Sequence, residues 1–65
     1  MPSSVIKQFA YDPADRRLEI EFVSGRRYAY HAVPEMMVRR MRSALSKGQF
    51  FNGKIRDHYS FSRIA

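Results

Sequence analysis

The chain has 65 residues and carries 12 Lys and Arg against 6 Asp and Glu, a formal net charge of +6. A chain this short buries only about 60% of its unfolded surface, which excludes a multidomain enzyme. Cysteine is absent, so neither disulfides nor a cysteine zinc site can stabilise the fold. Because 45% of the residues are hydrophobic, we expect one globular domain over residues 1–65 rather than a disordered basic chain.

No segment has the apolar core of a signal peptide, and none approaches the roughly 18 apolar residues that cross a bilayer. The absence of cysteine suits a reducing compartment. We therefore expect a soluble, cytoplasmic protein that has no membrane partner and no cofactor.

The positive charge lies in the second half of the chain. Residues 1–38 hold equal numbers of basic and acidic residues, whereas the only acid of residues 39–65 is Asp57. The basic residues of this half are Arg39, Arg40, Arg42, Lys47, Lys54, Arg56 and Arg63. Apolar residues run through the same stretch and require burial, so it is folded. The asymmetry predicts a polyanionic partner, nucleic acid above all.

The first half predicts three antiparallel strands. A loosely alternating segment over residues 3–11 ends in turn-forming residues at 12–15. The second strand alternates in a period of two, and its apolar face holds Leu18, Ile20 and Phe22. The third strand is expected to place on one face Tyr28, Tyr30 and Ala32.

The loop between the second and third strands is constrained by the apolar faces that it must join. A two-residue turn at Ser24 and Gly25 would pair Phe22 with Arg27 and put the tyrosines on the opposite face. We therefore expect a three-residue connection, with Gly25 at positive φ at or near a bulge.

An amphipathic helix is predicted from Pro34 to about Ser46, because Pro34 and Glu35 suit a helix N-terminus. The expected buried arc holds Met37, Val38, Met41, Ala44 and Leu45. The opposite, basic face holds Arg39, Arg40, Arg42 and Lys47. Gly48 is expected to cap the C-terminus.

The remaining residues predict a turn or broken helical segment at Asn52-Gly53, and the last ten residues form a candidate extra strand. We therefore expect an α+β fold, namely a three-stranded antiparallel β-meander followed by one main amphipathic helix packed on one sheet face. A short C-terminal helical turn or strand, together with Phe50, Phe51, Ile55 and Tyr59, would close the core.

The ordered pattern resembles the KTSC domain, a short bacterial domain found at the C-terminus of some lysyl-tRNA synthetases and also alone. The N-terminal matches are Ser3-Ser4, Ile6, Tyr11-Asp12, Leu18, Phe22, Gly25 and the central Tyr28-Ala29-Tyr30, which is similar to the family's YxY signature. The C-terminal matches are Val33-Pro34, Ala44, Ser46-Lys47-Gly48, Phe50-Phe51, Ile55-Arg56, Tyr59 and Arg63. The resemblance implies RNA binding, drawn from the synthetase context.

Two sets of residues are candidates for nucleic-acid contact. The basic helix face could contact phosphates, with Lys54, Arg56 and Arg63 extending it. Such contacts position a nucleic acid without reading its sequence, so we expect weak, salt-sensitive binding with RNA favoured over DNA. Tyr28 and Tyr30 could stack on unpaired bases. The preferred interpretation of the tyrosines is a place in the core, because they share a face with Leu18 and Ile20.

Catalysis and metal binding are poorly supported, so we expect a non-enzymatic protein with no metal. His58 is the only candidate general base, and its neighbour Asp57 is expected to point elsewhere. Asp12 and Asp15 fit ordinary turn chemistry better than a calcium loop.

The alternative function is a protein-interaction or homodimerisation domain without a nucleic-acid role. Met36 is expected to project away from the buried arc, and Phe50-Phe51 offers one aromatic ring more than a single core face needs. Together they would form an exposed apolar patch.

Overall fold

The structure is a computed structural model that describes residues 6–64. Its elements in chain order are β1 (Ile6–Asp12), β2 (Arg17–Phe22), β3 (Arg27–Tyr30), α1 (Glu35–Ser43), α2 (Lys47–Lys54) and β4 (Phe61–Arg63). The strands form one antiparallel sheet in the order β1-β2-β3-β4. The α+β class is confirmed, but the sheet has four strands instead of three and there are two helices instead of one.

The first hairpin joins β1 and β2 through the predicted turn. The Asp12 carboxylate accepts a hydrogen bond from the Ala14 amide at 3.0 Å, which is the short-range turn bond that aspartate favours. Within β1, the register shifts between Ile6 and Gln8. Residues 3–5 of the predicted first strand lie outside the described residues.

The second hairpin has the predicted three-residue loop. Leu18 lies opposite Tyr30 and Ile20 opposite Tyr28, so the apolar residues of β2 and β3 share one face. The Phe22 amide donates to the Arg26 carbonyl at 2.9 Å, which leaves residues 23–25 as the loop. Gly25 adopts φ 93°, a conformation that glycine tolerates better than other residues.

The third strand ends at Tyr30, so the prediction that Ala32 continues its face was wrong. Ala32 has φ 59°, which turns the chain away from the sheet. This turn allows Val33 to become fully buried, where its carbonyl accepts a hydrogen bond from the Tyr11 hydroxyl at 2.6 Å. Pro34 then serves as the N-cap of α1.

The helix predicted to reach Ser46 ends at Ser43, and a second helix begins at Lys47. Ser46 is the N-cap of α2, where its hydroxyl accepts a hydrogen bond from the Gln49 amide at 3.2 Å. Because a capping residue has a non-helical backbone, this bond competes with continuation of α1. The prediction that Gly48 caps the first helix was therefore also wrong, since Gly48 lies in the first turn of α2.

Both helices pack on the face of the sheet that carries Leu18 and Ile20. The core contains Leu18, Ile20, Tyr30, Val33, Val38, Met41, Phe51 and Ile55. The candidate strand in the last ten residues is present as β4, which pairs with β3. Phe61 lies opposite Tyr30, and Arg63 lies opposite Tyr28. Neither helix in the described part of the chain has the length and apolar character needed to span a bilayer.

Candidate nucleic-acid interface

The three arginines of α1 are exposed but extend toward different neighbours. An Arg39 nitrogen lies 3.4 Å from a Glu35 carboxylate oxygen, one helical turn away. The Arg40 guanidinium lies 6.0 Å from the centroid of the Phe50 ring on α2. The Arg42 guanidinium lies 6.0 Å from the centroid of the Phe9 ring on β1. Arg40 and Arg42 therefore lie on opposite flanks of α1 rather than in one stripe.

The other predicted basic residues continue around the helical side of the molecule. Lys47 and Lys54 are the first and last residues of α2, and Arg56 follows directly in a turn. Arg63 lies opposite Tyr28 across the β3–β4 pair, which places it on the face that the helices cover. All four residues are exposed. The predicted set thus forms a belt over α1, α2 and β4 instead of one helix face.

The ion pairs concentrate at the hairpin end and on the opposite face of the sheet. Glu19 and Glu21 lie opposite Ala29 and Arg27, so they share the face turned away from the helices. Pairs in this region join Lys7 to Glu21, Arg17 to Asp12, Asp15 and Glu19, and Arg27 to Glu19. Together with the Glu35–Arg39 pair on α1, these ion pairs involve five of the six acidic residues of the chain.

Most members of this helical belt form no ion pair with a carboxylate of the described residues. Within residues 6–64, five members of the predicted set form no ion pair: Arg40, Arg42, Lys47, Lys54 and Arg56. Their charge is available to an anionic partner, whereas the cations of the opposite face are neutralised in place.

An open cleft of about 640 Å³ lies where the second hairpin loop, the C-terminal part of α2 and β4 meet. Five aromatic residues line it: Phe22, Tyr28, Tyr30, Phe51 and Phe61. Its other lining residues are Val23, Ser24, Arg26, Asn52, Arg56 and Asp57. We call this feature the aromatic cleft.

The rings of the aromatic cleft meet mostly edge to face. Tyr28 and Phe61 are perpendicular with centroids 5.7 Å apart, and Tyr30 and Phe51 are 5.2 Å apart at 84°. Tyr30 is only 4% exposed and is a core residue, while Tyr28 is half-buried against the core. Phe61 remains 55% exposed. The cleft therefore has a buried aromatic floor and one accessible ring at its edge.

The Tyr30 phenol lies among groups of opposite charge. Burial raises the pKa of Tyr30 above its ordinary value of 10.0, with smaller effects from Arg56, which lowers it, and from Tyr28 and Asp57, which raise it. The phenol is consequently protonated at neutral pH and can donate a hydrogen bond. Arg56 and Asp57, which act on this phenol with opposite sign, both line the cleft.

The residues considered for catalysis and metal binding are dispersed. His58 is exposed in the turn after α2, and the His31 ring lies 3.0 Å from the Ser62 hydroxyl. The Asp12 carboxylate is engaged by the Ala14 amide and lies 3.8 Å from Arg17. Within residues 6–64, no three His, Asp or Glu side chains are grouped so that they could hold a metal ion.

The proposed apolar patch is smaller than the sequence indicates. Met36 is exposed, as predicted, but Phe51 is a core residue and Phe50 is half-buried beneath Arg40. The sequence predicts Leu45 in the buried arc of a longer helix, but Leu45 is fully exposed because α1 ends before it. Met36 is the second residue of α1, and Leu45 lies two residues beyond its last residue.

The aromatic cleft itself was missed from the sequence. It joins residues from three separated segments, and Phe61 and Arg26 were not considered as site residues. Phe61 is followed by Ser62 and Arg63, so no apolar alternation marks β4 in the sequence. The approach of α2 to the hairpin loop has no local signal.

The fold is that of a small α+β domain, a four-stranded antiparallel sheet with two helices on one face. Residues 2–59 match the KTSC domain, and the chain belongs to the KTSC domain family. A crystal structure of a KTSC domain protein from Yersinia pestis has the same fold, with a TM-score of 0.93 and 40% sequence identity over 100% of this chain and 92% of that one.

Two relatives illustrate the contexts of the family. A lysine–tRNA ligase from Nostoc punctiforme is 42% identical over 62 residues, which are 95% of this chain but only 11% of the ligase. An uncharacterized protein from Stutzerimonas stutzeri is 40% identical over 98% of this chain and 92% of its own length. The chain thus matches a small part of a large enzyme and nearly the whole of a small protein.

Proposed function

We propose that the chain is a non-catalytic nucleic-acid-binding domain that contacts phosphates through its basic helical side. The observation that carries this proposal is that most of the belt forms no ion pair, Arg39 with its Glu35 contact being the exception on α1. Four acids pair with Lys7, Arg17 and Arg27 at the first hairpin and on the outer sheet face, and Glu35 pairs with Arg39. No carboxylate partner within residues 6–64 is found for Arg40, Arg42, Lys47, Lys54 and Arg56. A phosphate backbone supplies the missing negative charge.

The contacts of Arg40 and Arg42 support this function. Each guanidinium lies over an aromatic ring, an arrangement worth about 0.5–1 kcal/mol at an exposed site. A cation–π contact restricts the side chain without neutralising its charge or using its N–H donors. Both guanidiniums can therefore donate paired hydrogen bonds to phosphate oxygens.

RNA is favoured over DNA by the relatives. The ligase from Nostoc punctiforme acts on a tRNA, as its name states, and a segment 42% identical to this chain forms 11% of its length. A domain attached to such an enzyme is well placed to add a phosphate-binding surface. For the present chain, only RNA as a class of partner is proposed from this relative.

The proposal predicts that the double substitution R40Q/R42Q weakens RNA binding and makes it less salt-dependent. Each phosphate contact to single-stranded RNA contributes about 0.7 to the slope of log affinity against log salt, so loss of two contacts should reduce the slope by about 1.4. Fluorescence anisotropy with a labelled single-stranded RNA between 50 and 200 mM salt measures this slope.

The matched control is K7Q/R27Q, which removes the same charge from cations that already have glutamate partners. Its salt slope should equal that of the unsubstituted protein. Equal slopes for all three proteins would contradict a phosphate interface on the helical side. Circular dichroism and thermal unfolding establish that each variant remains folded.

A further inference from the structure

The aromatic cleft has the size and lining of a ligand site. Its volume of about 640 Å³ falls in the range of about 300–1,000 Å³ typical of small-molecule pockets. The perpendicular pair Tyr28 and Phe61 forms a corner in which Tyr28 is half-buried and Phe61 is exposed. A flat ring can stack on one of these rings while its edge contacts the other.

The charge at the cleft indicates what kind of ring it would take. Arg26 from the second hairpin loop and Arg56 from the turn after α2 both line the cleft, and neither forms an ion pair within residues 6–64. Asn52 and Asp57 add an amide and a carboxylate that can pair with the donors and acceptors of a base edge. An aromatic ligand with attached anionic groups fits this combination.

We propose that the aromatic cleft binds one unpaired nucleobase of a single-stranded RNA, with Arg26 and Arg56 contacting the adjoining phosphates. The inference rests on the function proposed above and assigns it a base-binding site. A base in a duplex has both faces covered by its neighbours, so only an unpaired base can enter the corner between Tyr28 and Phe61. The cleft thus adds a preference for single strands to a phosphate surface that by itself would have none.

The inference is tested with two RNA backbones of equal length and charge. The probes are a nine-nucleotide oligouridylate and the corresponding abasic oligomer, titrated at about 50 mM salt while backbone and aromatic NMR signals are recorded. Stacking of a single base predicts that the oligouridylate binds roughly 5- to 150-fold more tightly than the abasic oligomer. Its binding should shift the ring signals of Tyr28 and Phe61.

Substitutions at the edge of the cleft complete the test. Phe61→Ala should remove most of the difference between the two oligomers, and Phe61→Leu, which keeps apolar bulk without a stacking face, should do the same. Ile64→Ala is the matched control, because Ile64 is exposed just beyond β4 and does not line the cleft. This control should retain the full difference.

The outcomes separate the two proposals. Equal affinity for both oligomers, with salt-dependent shifts only on the basic belt, would overturn the base-binding cleft and leave the phosphate surface intact. Binding of neither oligomer would overturn both proposals. Tighter binding of a short acidic peptide that ends in phenylalanine, with shifts in the cleft, would assign the site to a protein partner and overturn the inference.

Discussion

Gly25 and Gly53 show how the same residue type meets different backbone requirements. Gly25 closes the second hairpin at φ 93°, and a Cβ placed there would meet no atom within 4 Å. Gly53 lies near the end of α2, also with open space around its Cα. The backbone conformation, and not crowding, therefore decides whether a side chain is tolerated at each position.

We expect Gly25→Ala to lower the free energy of unfolding by about 1–2 kcal/mol, because an L-residue at positive φ is strained. Gly53→Ala is the matched control and should raise the free energy of unfolding by up to about 1 kcal/mol, since alanine has the higher helix propensity. Urea denaturation followed by circular dichroism measures both. A Gly25→Ala variant as stable as the original would contradict the strained-loop interpretation.

At the level of elements, the break between α1 and α2 shapes the helical layer. Ala44 is extended, with φ −69° and ψ 140°, and the next helix begins at Lys47 after the Ser46 N-cap. The segment from Ser46 to Gln49 matches the Ser-x-x-Gln capping pattern. This break allows α2 to bring Phe51 and Ile55 into the core and places Arg56 beside the cleft.

The capping interaction predicts that Ser46→Ala lowers the free energy of unfolding by about 1 kcal/mol, within a range of about 0.5–2 kcal/mol. Ser43→Ala serves as the control, because Ser43 is an exposed residue at the end of α1. Its effect should stay within about 0.5 kcal/mol. Thermal and urea unfolding provide the measurement, and equal effects at both serines would show that the cap contributes nothing.

At the scale of the whole molecule, charge and apolar exposure have different distributions. The unpaired cations cover the helical side, while the outer sheet face carries Glu19 and Glu21 in ion pairs. Of the five large apolar residues exposed within residues 6–64, Val23 and Phe61 line the aromatic cleft and Ile64 follows β4. The other two, Met36 and Leu45, lie near the two ends of α1. Scattered exposed apolar side chains are common on monomeric proteins.

We therefore expect sedimentation velocity to report a 7.7 kDa monomer whose sedimentation coefficient does not change between two widely different protein concentrations. The net charge of +6 opposes self-association, most strongly at low salt. Mass that increases with concentration, and returns to the monomer value in a Met36→Ser variant, would instead support the homodimer alternative.

The sequence by itself determined the features that depend on local periodicity. The alternation of apolar and polar residues located β2 and β3. The requirement that both strands bury one common face then fixed their register, and with it a three-residue loop with Gly25 at positive φ. The difference in charge between residues 1–38 and residues 39–65 is likewise evident from the sequence. The Ser46 capping pattern is also present in the sequence, but the apolar spacing of Ala44 and Leu45 favours one longer helix, which the structure does not form.

Only the tertiary structure decided which side chains share a site. The aromatic cleft joins β3, the end of α2 and β4, and no spacing along the chain encodes the distance between Tyr28 and Phe61. The ion pairs, too, depend on strand pairing, since Glu19 meets Arg27 only across β2 and β3. Contacts between distant segments follow from how the layers pack, and that packing left the helical side with positive charge and an accessible aromatic ring.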